Sequence, residues 1–148
     1  MHIIHNTIGV PKITHEKISA TESRFSIKPL PSGYGVTLGN SIRRIGLSSI
    51  PGTRVTGIKI KGISHEYATI PGIKDSVLDI MLNLKGLVVR KLDTGIEWIS
   101  LKKNKAGVVT AADIKTSGGI EIINPEMYIT EIDRDGFELA MEIRVEKS

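Results

Sequence analysis

The chain has 148 residues, 40% hydrophobic and 24% charged, with a formal net charge of +4 and no cysteine. The missing thiols exclude a disulfide framework, a thiolate zinc site and a cysteine nucleophile, and they fit a reducing compartment. Apolar runs of only a few residues exclude a helical membrane span or a signal-peptide core, so a cytoplasmic chain with no membrane contact is expected.

In chain order, RFSIKPL (24–30) sets Phe25 and Ile27 against charged neighbours and ends in Pro-Leu-Pro-Ser-Gly, which predicts a strand running into a turn. A helix over 34–50 follows. VTGIKIKG (55–62) predicts a short strand closed by Gly62. GIKDSVLDIMLNLKGL (72–87) repeats Ile73, Val77, Ile80, Met81 and Leu84 along one helical stripe, with Gly86 as the stop. The remainder reads as strands: VVRKL, EWISL, EIINP, MYITEI and FELAMEIRV, separated by the turn segments DTG, KNKAG, TSGG and DRDG. In FELAMEIRV, Phe137, Leu139, Met141, Ile143 and Val145 face one way and Glu138, Glu142, Arg144 and Glu146 the other, one side core and one side water. The composition shift at Pro51-Gly52 marks a lobe boundary. The predicted fold is α+β in two lobes, 1–52 and 53–148, the second β-rich with one main helix.

Short catalytic motifs do not hold. Gly33-x-Gly35-x-x-x-Gly39 departs from the dinucleotide fingerprint, and Lys59 and Lys61 stand where a ribose-binding acid is needed. No Gly-Lys-Ser/Thr makes a Walker loop. His65-Glu66 begins an HExxH pattern that Thr69 breaks. Asp133-Arg134-Asp135-Gly136 lacks the later acids of a calcium loop and reads as a hairpin turn. Asp75 and Asp79, one helical turn apart, read as a solvated polar face. The expectation is no cofactor, no metal and no catalytic site.

On a 3.6-residue period, residues 34–50 sort into stripes. Tyr34, Leu38, Ile42 and Ile45 form the apolar one; Gly35, Gly39 and Gly46 lie beside it, where another helix backbone could come close; Thr37, Ser41, Arg44 and Ser48 form a polar one; Asn40, Arg43 and Leu47 lie at the back. Pattern alone favours an ordinary amphipathic helix with solvated arginines; the sharper alternative is a helix that meets a partner on each side.

GYGVTLGNSIRRIGLSSIPG, GISHEYATIPGIKDSVLDIMLNLKGLVVR and VVTAADI, in this order and spacing, resemble the N-terminal domain of bacterial RNA polymerase alpha subunits, whose pattern runs close to GxGxTLGNxLRRxLLSSxPG, HEYST, GVxEDxxxIxLNLKxLxxR and VTAxDI. The likeness covers about Ile13 to the end. It implies a non-catalytic scaffold of a cytoplasmic, nucleoid-associated nucleotidyltransferase, with a dimerisation lobe (1–52) and an inserted lobe (53–148) against the large subunits. By the same resemblance, Tyr34, Leu38, Ile42 and Ile45 would meet a second alpha subunit. Arg44, Leu47, Ser48, Ser49, Glu66 and Lys85 would face the beta and beta-prime subunits, with no sequence-specific DNA contact from this segment. Gly46 departs from a usual bulky aliphatic and Tyr34 from a usual phenylalanine. Family members continue past MEIRVEKS into a second dimerisation helix, a linker and a DNA-binding domain, so the chain is expected to be a fragment or a reduced form. The alternative, from composition alone, is a basic β-rich nucleic-acid-binding module.

Overall fold

The computed structural model describes residues 9–148. The chain is α+β and divides into two compact units, one ending at Ile50 and the other running Pro51–Ser148.

In the first unit, β1 (Lys12–Lys17) pairs antiparallel with β2 (Ser23–Lys28), setting Ile13 opposite Ile27 and His15 opposite Phe25. The His15 and Phe25 rings stack at 4.6 Å. β1 was not expected from sequence, because KITHEK lacks an apolar alternation and no residue in it is buried. Gly33, at φ +83, turns the chain into α1 (Tyr34–Ser48), a left-handed step that glycine takes without strain. Among the described residues of this unit none is buried.

In the second unit a four-stranded antiparallel sheet has the order β3 (Thr53–Ile60), β10 (Leu139–Lys147), β5 (Gly95–Lys103), β7 (Ile114–Lys115). Two smaller ladders join β4 (Val89–Lys91) to β8 (Ile120–Ile122), and β6 (Gly107–Thr110) to β9 (Tyr128–Ile132). The helix α2 (Val77–Leu84) turns Val77, Ile80 and Leu84 inward, as the stripe predicts. These join Leu101, Ile129, Ile132, Leu139, Ile143 and Val145 in one core, each fully buried residue stabilising by roughly 1.5–3 kcal/mol. The alternation of β10 is as expected from Leu139 onward.

Two expectations are corrected. The DRDG segment does not close a hairpin: β9 pairs with β6 and β10 with β3 and β5, so Asp133–Gly136 carries the chain from one ladder to another. The Asp135 carboxylate accepts from the Ala106 amide at 2.7 Å, and Gly136 sits at φ +95. The helix expected over 72–87 is shorter, because Ser76 caps it: its hydroxyl accepts from the Asp79 amide, while the Asp79 carboxylate accepts from the Ser76 amide, a reciprocal capping box. Upstream, Ile73 bridges to Ile132 and Thr69 to Ser76 in β fashion, which commits that backbone elsewhere.

Lys91 is buried, and its ammonium is satisfied by donating to the carbonyls of Asp93 (2.7 Å) and Thr94 (3.3 Å). Lys147 Nζ donates to the carbonyls of Lys91 and Leu92, both at 2.9 Å, so the β4–β5 turn is braced by Lys91 from the end of β4 and by Lys147 from the end of β10.

Candidate subunit interfaces

Every side chain of α1 is exposed or half-buried. Tyr34 (53% exposed), Ile42 (55%) and Ile45 (59%) flank half-buried Leu38, an apolar stripe that the described residues leave in water. Leu47, at the back, is 75% exposed. On the polar stripe the serines are satisfied within the helix: Ser41 Oγ donates to the Thr37 carbonyl at 2.9 Å and Ser48 Oγ to the Arg44 carbonyl at 2.6 Å. The Ser49 amide closes the helix by donating to the Ile45 carbonyl at 2.9 Å. Arg43 and Arg44 form no ion pair among the described residues. A Cβ built at Gly35, Gly39 or Gly46 meets nothing within 4 Å. The close approach expected along that stripe is therefore not made by any described part of this chain.

Glu66 and Lys85 belong to the second unit. Glu66 is exposed in the loop after β3, and Lys85 is the exposed C-cap of α2. Arg44 and Ser48 thus share one helical stripe, with Leu47 and Ser49 nearby, whereas Glu66 and Lys85 lie on separate elements of the other unit.

Asp75 requires correction. It is not a solvated helical residue paired with Asp79; it precedes the cap and accepts from the Tyr128 hydroxyl at 2.7 Å and from Thr130 Oγ1 at 2.9 Å, the latter fully buried. Beside it Lys74 pairs with Glu131 at 3.3 Å. This clamp fastens the approach to α2 onto β9. A sequence signal existed: Ser76-x-x-Asp79 is a capping-box pattern that takes Asp75 out of the helix.

Burial, the hydrogen bond to Asp75 and the negative charges of Asp75 and Glu131 push the Tyr128 hydroxyl up from 10.0 to about 12. A raised folded-state value means the neutral phenol favours folding. That contribution is complete below about pH 10 and is lost between pH 10 and 12. An ultraviolet titration should therefore show a late phenolate phase near pH 12 that Tyr128→Phe removes. A variant that keeps this phase contradicts the clamp.

The second unit is thus a β-rich α+β domain of three antiparallel sheets around one capped helix, and the first unit carries a helix whose apolar and polar stripes no described residue buries. Residues 58–148 match the RNA polymerase Rpb3/RpoA insert domain, and the chain belongs to that family. The DNA-directed RNA polymerase subunit alpha of a Roseiflexus species is 51% identical over 142 residues, which is 95% of this chain and 43% of the relative. The subunit of the same name in Leifsonia xyli subsp. xyli is 50% identical over 134 residues, 90% of this chain and 40% of the relative. In Corynebacterium diphtheriae it is 47% identical over 137 residues, 93% and 40%. The chain spans roughly two fifths of the length of these relatives.

Proposed function

We propose that the chain is an assembly scaffold of a cytoplasmic DNA-dependent RNA polymerase: it dimerises through residues 1–52 and presents 53–148 to the beta and beta-prime subunits, contributing contacts rather than catalytic groups. The observation that carries this reading is α1, a 15-residue helix with no buried residue, because a lone helix of that length is marginal in water and gains its stability by packing. Its two exposed stripes suit two partners. Tyr34, Leu38, Ile42 and Ile45 form the apolar seam for a second alpha subunit, and the missing side chains at Gly35 and Gly39 leave room for that subunit's backbone. Arg44, with Leu47, Ser48 and Ser49, faces a large subunit, where a planar guanidinium can satisfy several acceptors. Glu66 and Lys85 extend the large-subunit contact into the second unit.

The nucleic-acid-module alternative loses its ground in the charge distribution. Residues 51–148 hold equal numbers of basic and acidic side chains, so the whole excess of +4 lies in the first 50.

The test is co-purification with the beta subunit. Arg44→Ala should leave the fold unchanged, because the side chain is exposed, yet weaken capture by about 2–5 kcal/mol, the usual loss for a buried charge-assisted contact. Wild-type recovery of beta by the variant overturns the assignment.

A further inference from the structure

The second unit contains a groove of about 890 Å³. Strand register places Lys59, Glu142, Ser100 and Lys115 in one row across β3, β10, β5 and β7, on the face opposite the buried Ile99, Leu101, Met141 and Ile143. The next row on the same face holds Ala140 and Lys102, with Lys61 donating its amide to the Ala140 carbonyl. Four lysines therefore line the groove against Glu142 in the sheet and Glu66 in the loop. Two have engagements: Lys59 lies 5.2 Å from the Trp98 ring, and Lys102 is 3.9 Å from Glu138. Lys61 and Lys115 form no ion pair among the described residues. Elsewhere the groove is apolar, lined by half-buried Ile63 and Met81 beside Val77. Methionine adapts to irregular shapes, which suits a seat for a large apolar side chain.

We propose that this groove docks a short acidic segment of a partner protein, its carboxylates meeting Lys61 and Lys115 and one apolar side chain seating against Ile63 and Met81. Charge complementarity selects the occupant, since the unit is neutral as a whole while the groove sets four lysines against two glutamates, with Lys61 and Lys115 outside any ion pair among the described residues. The volume falls in the range of ligand-sized sites and fits a few side chains rather than a domain. Nucleic acid is the poorer occupant: single strands stack bases on several aromatic faces, whereas here Trp98 is the one aromatic in the adjoining row and already has Lys59 over it, and Glu142 stands mid-groove. The inference rests on the groove and not on the subunit assignments above, although Glu66 lies at its rim.

The test is selection from a random peptide library against the full chain, followed by titration of the recovered peptides with Trp98, the sole tryptophan, as fluorescent reporter. Recovered peptides should combine Asp or Glu with a large apolar residue and shift Trp98 emission. A double variant, Lys61→Glu with Lys115→Glu, should weaken them at least about tenfold. Circular dichroism checks its fold, and the milder Lys61→Gln with Lys115→Gln pair serves if the reversal unfolds the chain. Peptides without acidic residues, or equal binding by a folded variant, overturn the proposal. So does polyuridylate that displaces the peptides, which would make the groove a nucleic-acid site.

Discussion

Gly72→Ala should lower the stability of the second unit by about 2–6 kcal/mol, a large share of the roughly 5–15 kcal/mol that holds a domain together. Gly72 has φ +74, where a side chain costs about 1–3 kcal/mol in backbone strain. Any Cβ there also runs into the Phe137 ring. Phe137 packs against the core with Arg134 5.8 Å from its ring centroid, so the ring cannot move aside without uncovering apolar surface. The Gly72 carbonyl accepts from the Asp133 amide at 2.8 Å, which holds the glycine backbone in place. Gly62→Ala is the matched control: Gly62 has a similar φ of +81 but open space at its Cβ position, so strain alone acts there. Urea unfolding should therefore move the Gly72 variant's midpoint much further than the Gly62 variant's. Equal shifts would mean that the Phe137 contact carries no weight.

The contrast between these glycines marks the limit of sequence reading. Both follow apolar segments and both look like turn residues; only the fold brings Phe137, far along the chain, onto one of them. Local periodicity was legible: β10 alternates, and Val77, Ile80 and Leu84 form the inner stripe of α2, because burial on one face imposes a period that propensity does not hide. Strand order was not legible. β4, β5 and β6 follow one another through turn-like segments, yet each pairs with a later strand, since pairing is set by tertiary packing and not by the intervening turn. β7 has two residues and β6 four, too short to show a period. In the candidate interface, the stripes of α1 were legible because they depend only on helical spacing. The groove of Lys61 and Lys115 was not, because those residues meet only through the register of β3, β10, β5 and β7.

Hydrogen exchange should divide the chain sharply. Among the described residues, all the buried hydrophobic side chains lie between Ile60 and Val145, so amides of the strands and helix formed there should open only with the whole unit. α1 buries nothing, and its backbone bonds are held only by a 15-residue helix that contains three glycines, each costing roughly 1 kcal/mol against alanine. In dilute solution its amides should exchange orders of magnitude faster than those of β10. The exposed stripe of Tyr34, Ile42 and Ile45 gives the helix a strong reason to find cover, since burying each such side chain is worth roughly 1.5–3 kcal/mol. Raising the protein concentration should therefore increase both the mass seen by light scattering and the protection of residues 34–48, in step. Gly39→Leu separates the two effects. With open space at its Cβ position, the substitution should raise helix content in the dilute chain by propensity, contrary to the overpacking that a close partner within the chain would give. At high concentration the same leucine should weaken association by about 1–3 kcal/mol, because it fills the room left for a second backbone. A chain that stays monomeric at every concentration while 34–48 is strongly protected would show that the helix is stabilised without a partner, and the argument from its uncovered stripe would fail.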